Sequence, residues 1–137
     1  MSKGVLLDTC AAIWVVSGAP IADSARSAVL KAAQNDEVMV TPFTAWEMAM
    51  LEARGRAPIK VDPLTWYDAL LKVPGIREIE VTAKLLVRSQ QLPGEPPRNP
   101  MDRLMIATAR EEGLFLVTRD RHILQYGGAG HVRVMAC

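Results

Sequence analysis

Two short apolar runs in this sequence each lead into an aspartate, and this pairing constrains the fold more than any other feature. Val5-Leu6-Leu7 leads directly into Asp8, and the run that ends with Leu116-Val117 leads through Thr118 and Arg119 to Asp120. A short, continuously apolar run is typical of a strand that is buried on both faces of a parallel sheet. A carboxylate beside such a run needs a partner, because burying an unpaired charge is costly. The sequence therefore predicts buried parallel strands with carboxylates at their carboxyl ends.

Helical segments separate the predicted strands along the whole chain. Caps, first-turn prolines and closing glycines predict helices over residues 9–16, 23–33, 42–54, 63–72, 82–91 and 100–112, and a short one after Asp120, with Asp23 or Ser24 as the cap of the second. Further strands are predicted at 37–40, 77–81, 114–118 and 132–135. Alternating strands and helices predict an α/β fold with three α/β/α layers, a mostly parallel central sheet and one domain over residues 1–137.

Composition excludes several classes of protein. The net charge is +1, which argues neither for nor against nucleic acid. Only two cysteines occur, Cys10 and Cys137, so neither a disulfide-rich scaffold nor a cysteine zinc site is expected. The sequence contains no signal-peptide pattern and no apolar run of membrane-spanning length, so the cytoplasm is the expected location and no membrane partner is expected.

Four acidic residues are the candidate functional groups: Asp8, Glu47, Asp102 and Asp120. In α/β folds, sites form outside the carboxyl ends of the strands, where Asp8 and Asp120 are placed. Glu47 and Asp102 share helix faces that are otherwise largely apolar. If the four converge, their oxygen atoms suit a hard cation such as Mg²⁺ or Mn²⁺. Such an ion can activate water and stabilise the charge that develops during phosphodiester cleavage.

Each of these acids also has a purely structural interpretation. Asp8 and Asp120 can cap the helices that follow them, and Asp102 can complete a capping box with Asn99. Glu47 can pair with Arg54 further along its helix. These alternatives stay open at the level of sequence.

The motifs that contain these acids resemble, in order and spacing, those of the PIN-domain family. They are Leu6-Leu7-Asp8-Thr9, Trp46-Glu47, Pro100-Met101-Asp102-Arg103-Leu104-Met105-Ile106-Ala107 and Leu116-Val117-Thr118-Arg119-Asp120-Arg121. The sequence is most similar to the bacterial toxin branch, the VapC-type ribonucleases of type II toxin–antitoxin modules. The resemblance extends from Asp8 to the closing strand and implies a PIN-like fold.

The resemblance also implies an activity and its partners. It implies an endoribonuclease that uses Mg²⁺ or Mn²⁺, with Asp8, Glu47, Asp102 and Asp120 as catalytic metal ligands. It further implies a homodimer, a small antitoxin that covers the active site, and contact with operator DNA only through that antitoxin.

Three further residues receive supporting roles from the same resemblance. Thr118 is expected to support the site by hydrogen bonding, and Arg103 and Arg119 to contact RNA phosphate or to position the carboxylates. Two positions depart from the branch: Cys10 stands where a histidine is frequent, and Asn99 where an aspartate is usual. Neither is among the four ligands, so activity is expected to survive.

Other functions compete with a toxin. A PIN-like RNA-processing nuclease, or an inactive PIN-like binding module, would keep the same fold. A dehalogenase-type phosphatase needs a second aspartate where this chain has Cys10. A dinucleotide-binding fold is disfavoured because the glycine-rich run at 127–130 has the wrong spacing and position.

Overall fold

The described part of this protein, residues 4–137 of a computed structural model, contains one five-stranded sheet. All strand pairs are parallel, in the order β3-β2-β1-β4-β5. The strands are β1 Val5–Leu7, β2 Val38–Val40, β3 Ile76–Glu78, β4 Phe115–Thr118 and β5 Val134–Ala136. The helices are α1 Thr9–Ser17, α2 Asp23–Ala33, α3 Pro42–Ala53, α4 Pro63–Leu71, α5 Ala83–Arg88, α6 Pro100–Glu112 and α7 Arg121–Gly128. Residues 1–3, which the single-domain prediction includes, lie outside the described residues.

The sheet is covered on both faces, which confirms the predicted three-layer fold. Successive residues of a strand point to opposite faces, so β1 sends Val5 and Leu7 to one core and Leu6 to the other. The first core joins the sheet to α1–α4, and the second joins it to α5–α7. All three residues of β1 are buried, as expected for a central strand between two layers.

Side-chain caps fix where most of the helices begin. The capping residues of α1, α3, α4, α5, α6 and α7 are Asp8, Thr41, Asp62, Thr82, Asn99 and Asp120. The predicted cap of α2 was wrong, because Ala22 occupies that position without a side-chain bond and Asp23 lies in the first turn. Helix α5 and strand β3 are shorter than predicted, and β5 begins two residues later.

The order in which strands are added to the sheet reverses between β1 and β4. Strand β1 pairs with β2 on one side and with β4 on the other, with Leu7 opposite Val117. The carboxyl ends of these two central strands therefore lie side by side. In open α/β sheets, this switch point is where ligands bind. Asp8 follows β1 directly, and Asp120 follows β4 by two residues.

The proline-rich loop over residues 92–100 is fixed to the helical layer beside this edge. Tyr126 Oη donates a hydrogen bond to the carbonyl of Pro93, and Arg103 Nε donates one of 2.6 Å to that of Pro97. Gly94 has a φ of +66°, and a Cβ there would lie 2.6 Å from Nε2 of His131.

No helix within residues 4–137 is long and apolar enough to cross a membrane.

Candidate active site

Asp8 is held by hydrogen bonds to both of its carboxylate oxygens. Its Oδ1 accepts from the backbone N–H of Thr9 over 2.8 Å, as expected of the residue that caps α1. Its Oδ2 accepts from Oγ1 of Thr118 over 2.6 Å. Asp8 therefore caps a helix and also faces the end of β4, so its capping role does not exclude a functional one. A carboxylate has about four acceptor positions, which leaves some of them open.

Thr118 links the two strand-end aspartates. Besides donating to Asp8, its Oγ1 accepts from the backbone N–H of Asp120 over 3.1 Å. Asp120 in turn caps α7, with Oδ1 accepting from the N–H of Ile123 over 2.9 Å. Thr118 is fully buried, so its hydroxyl has a fixed set of partners. Its hydrogen bond to Asp8 is a contact through which Thr118 can act on the acidic group, and its supporting role stays a prediction.

Glu47 reaches the same place from α3. Oγ1 of Thr9, the first residue of α1, donates a hydrogen bond to Oε1 of Glu47. The ion pairs of the described chain join Arg26 to Asp23 and Lys84 to Glu111, so a Glu47–Arg54 pair is not among them. The sequence motif contains Thr9 but does not indicate a role for it. Its contact with Glu47 brings α1 and α3 together, which no local pattern indicates.

Asp102 completes the acidic group from the first turn of α6. Asn99 caps that helix by accepting from the N–H groups of Met101, over 2.8 Å, and Asp102, over 3.4 Å. The pKa of Asp102 is raised to about 7, mainly by burial and then by the negative charges of Asp120, Asp8 and Glu47. The other three carboxylates thus all contribute negative charge at Asp102.

Burial is the largest influence on the pKa of Asp8 and raises it above its ordinary value. The hydrogen bonds from Thr118 and Thr9 act in the opposite direction, because they favour the charged form. The charges of Glu47 and Asp120 raise the pKa further. The four predicted acids thus form one electrostatically coupled group at the β1–β4 switch point.

Comparison with known proteins agrees with this geometry. The family model for the PIN domain matches residues 5–129. The chain belongs to the PIN-domain family. The protein called Ribonuclease VapC22 from Mycobacterium tuberculosis is 32% identical over 119 residues, covering 87% of this chain and 88% of that protein. The resemblance to VapC-type ribonucleases found in the motifs is therefore confirmed.

Solved structures share the fold of this PIN domain at low sequence identity. VapBC2 from Rickettsia felis, bound to a promoter DNA fragment, has a TM-score of 0.66 at 17% identity, covering 96% of this chain and 97% of that one. DNA-bound VapBC from Salmonella typhimurium has a TM-score of 0.65 at 14% identity, covering 98% of each chain. A toxin–antitoxin complex from Klebsiella pneumoniae has a TM-score of 0.60 at 21% identity, covering 96% of each chain.

The donor set of this PIN domain fits a hard divalent cation. Four carboxylates, without thiolate or imidazole, are the oxygen ligands that Mg²⁺ and Mn²⁺ prefer. The raised pKa values of Asp8 and Asp102 fit as well, because crowded negative charge is what a cation relieves. Across residues 4–137, however, no group of three or more His, Cys, Asp or Glu side chains is placed so that it could hold a metal ion. The carboxylates are neighbours without being arranged as a ligand shell.

The two arginines that were candidates for the site bind backbone carbonyls. Arg103 donates to Pro97 in the proline-rich loop. Arg119 donates through Nη2 to the carbonyls of Pro20, over 2.9 Å, and Cys137, over 3.1 Å. Contact of either arginine with RNA, or with the carboxylates, stays a prediction.

Proposed function

We propose that this PIN domain is a divalent-metal-dependent endoribonuclease and acts as the toxin of a toxin–antitoxin pair. The observation that carries the proposal is the coupling of Asp102 to the three other carboxylates at the sheet's switch point. Perturbed pKa values in a group at such a position favour a functional site over isolated helix caps. The similarity to Ribonuclease VapC22 from Mycobacterium tuberculosis supports RNA as the substrate.

In this proposal, Asp8, Glu47, Asp102 and Asp120 would hold Mg²⁺ or Mn²⁺. Such a cation supplies an activated water and stabilises negative charge on the scissile phosphate. The chain's own contribution is to orient the carboxylates.

Two threonines fix the carboxylates before any ligand binds. Thr118 holds Oδ2 of Asp8, and Thr9 holds Oε1 of Glu47, so each acid keeps one oxygen in a defined direction. Hydrogen bonds of this kind around metal ligands fix their orientation and tune affinity. Asp102, with a pKa of about 7, carries a proton in part of the molecules at neutral pH. That proton must leave when the carboxylate becomes a ligand.

An antitoxin partner and a homodimer are part of the proposal. The similar solved structures are VapBC or toxin–antitoxin complexes, two of them with DNA, which supports an antitoxin that in turn contacts operator DNA. Trp46 is 51% exposed directly beside Glu47 in the sequence of α3. Large apolar side chains exposed near a site favour a protein partner there. The proposed location is the cytoplasm, where both RNA and operator DNA are present in bacteria.

The experiment that tests the activity is cleavage of total cellular RNA by purified protein. The reactions contain Mn²⁺, EDTA, or Mn²⁺ with the Asp8→Asn variant. We expect cuts at discrete sites only in the unchanged protein with Mn²⁺, because the Asp8→Asn substitution removes one charge from the ion site. The variant should stay folded, since losing a charge relieves repulsion within the acidic group.

Matched controls separate the nuclease from its alternatives. Asp68→Asn changes an exposed carboxylate on α4 and should cleave like the unchanged protein. Folded protein, free of antitoxin, that cuts no RNA with either metal would favour the inactive binding module. A nuclease that does not arrest growth when expressed alone would favour an RNA-processing enzyme over a toxin.

A further inference from the structure

The two cysteines of this chain meet beside the acidic group. Cys10 and Cys137 are 127 residues apart in sequence, and their Sγ atoms are 2.7 Å apart. They are also the only cysteines in the sequence. Both are free thiols that are partly buried and pack against the core between the sheet and α1–α4. A disulfide has a sulfur–sulfur distance of about 2.05 Å, so the sulfurs need to approach by only about 0.7 Å.

The backbone holds both cysteines in place. Cys10 lies in the first turn of α1, immediately after Thr9. The N–H of Cys137 donates to the carbonyl of Thr118 over 2.9 Å. The carbonyl of Cys137 accepts from the N–H of Ala22, over 3.3 Å, and from Arg119, over 3.1 Å. Because these backbone contacts already hold both cysteines, no additional segment of the chain has to become ordered before the two sulfurs can react.

We propose that Cys10 and Cys137 form an oxidisable dithiol that closes to an intrachain disulfide. The oxidant is a small-molecule disulfide. One cysteine sulfur attacks it, forms a mixed disulfide and releases one thiol. The other cysteine then attacks the protein sulfur of the mixed disulfide and releases the second thiol. Two electrons pass from the protein to the reagent, and the two thiol protons end on the released thiols.

The bond would tie the first turn of α1 to the residue that follows β5. That turn carries Thr9 and begins at Asp8, so oxidation would fasten the end of the chain to the edge that holds the acidic group. A crosslink between residues this far apart strongly restricts the unfolded chain. We therefore expect the oxidised protein to melt at least about 5 °C above the reduced protein. The proposal does not depend on nuclease activity.

The test uses the complete protein, first reduced and then incubated with oxidised glutathione. After an acid quench, a maleimide labels the remaining thiols, and intact mass and peptide mapping locate any bond. We expect the intact mass of a single chain without label or glutathione, and a disulfide-linked pair of peptides that contain Cys10 and Cys137. The rate of its formation should not depend on protein concentration, because the reaction is intramolecular. The melting temperature of the same sample, with and without reductant, gives the second measurement.

Cys10→Ala and Cys137→Ala are the matched controls. Each leaves one thiol, so each should retain either a label or a glutathione adduct, and its melting temperature should not respond to reductant. Two labelled or glutathione-bearing cysteines in the unchanged protein would show that the thiols only pack against each other. A bond found only between chains would equally overturn the proposal. Both results come from the unchanged protein, so they hold even if a variant fails to fold.

Discussion

Thr118 Oγ1 donates a 2.6 Å hydrogen bond to Oδ2 of Asp8, which precedes it in the chain by 110 residues. The parallel register of β1 and β4 brings Asp8 and Thr118 together. Leu7 and Val117 are paired across the two strands, and Asp8 and Thr118 are the residues that follow them. The same hydroxyl accepts from the N–H of Asp120. One buried threonine thereby couples the strand pairing of the sheet to the position of two carboxylates.

Replacing this hydroxyl in the Thr118→Val variant should impair both the site and the stability of the fold. The hydrogen bond from Thr118 lowers the pKa of Asp8, so its removal should raise that pKa further. The acid limb of the pH–rate profile should then move to higher pH, and kcat/KM should fall by about 10- to 100-fold. The free energy of unfolding should fall by about 1–3 kcal/mol, which urea denaturation measures.

Thr108→Val is the control for this substitution. Thr108 is also fully buried, but its Oγ1 donates to the carbonyl of Leu104 within α6, over 2.7 Å. That carbonyl belongs to the helix's own ladder, so the loss of this hydroxyl should leave the pH–rate profile unchanged. Equal pH–rate profiles for both variants would contradict the role given to Thr118.

Metal binding should stabilise the folded protein and depend on Thr9. A ligand that binds only the folded state stabilises it by about 2.7 kcal/mol at a hundred times its Kd. We expect Mn²⁺ to raise the melting temperature by roughly 5–10 °C, and EDTA to reverse the effect. Thr9→Val removes the donor to Glu47 and should weaken Mn²⁺ binding about 10- to 100-fold in calorimetric titrations.

The matched substitution is Thr9→Ser, which keeps the hydroxyl and should retain most of the affinity. Asp8→Asn should abolish the thermal response to Mn²⁺. If millimolar Mn²⁺ leaves the melting temperature of the unchanged protein where it was, the proposed metal site is wrong.

The sequence predicted the central sheet and its acids for a physical reason. Buried parallel strands are continuously apolar, so a carboxylate at the end of such a run is conspicuous, as for Asp8. The helix caps Asn99 and Asp120 were equally readable, because capping acts over only a few residues. These features depend only on residues that are close together in the sequence. Glu47 and Asp102 stood out because each shares a helix face that is otherwise largely apolar, and their roles as metal ligands stay a prediction.

Contacts between distant segments were not predictable in the same way. The hydrogen bond from Thr9 to Glu47 depends on how α1 and α3 pack, and the contact of Cys10 with Cys137 depends on the closing strand. The end of α5 was also misplaced. Ser89 Oγ donates to the carbonyl of Leu86, and residues 89–91 form turns, although their side chains suit a helix.

The stability of the metal-free protein should depend on the protonation of Asp102. Its pKa is about 7 in the folded protein, against an ordinary value of 3.8, so the folded state binds more protons between these values. Stability falls with rising pH wherever the folded state binds more protons. We therefore expect the free energy of unfolding to fall from pH 4 to about pH 7, and Asp102→Asn to flatten that slope.

Asp68→Asn serves as the control for this pH dependence, because that carboxylate is exposed on α4. Its profile should follow that of the unchanged protein. Asp8, whose pKa is also raised, should leave a residual slope in the Asp102→Asn variant. The free energy of unfolding is measured by denaturation at several pH values in EDTA. If it depends on pH as strongly in Asp102→Asn as in the unchanged protein, Asp102 is not the source of that dependence.

Arg119 and Arg121 should differ in what their removal changes, although both flank Asp120. Arg119→Ala breaks hydrogen bonds to the carbonyls of Pro20 and Cys137, so it should lower the free energy of unfolding by about 1–2 kcal/mol. Arg121 is exposed at the first residue of α7, where its charge is open to RNA phosphate. Arg121→Ala should therefore weaken RNA binding and reduce its salt dependence by about one counterion.

Binding of uncleaved RNA can be measured at several salt concentrations in an Asp8→Asn background, with urea denaturation of the same proteins. An Arg119→Ala variant of unchanged stability that loses a counterion would instead place Arg119 on the RNA, as the family resemblance allows. The two arginines are both exposed and differ in their partners: the guanidinium of Arg119, already bonded to two backbone oxygens, has fewer donors left for phosphate than that of Arg121.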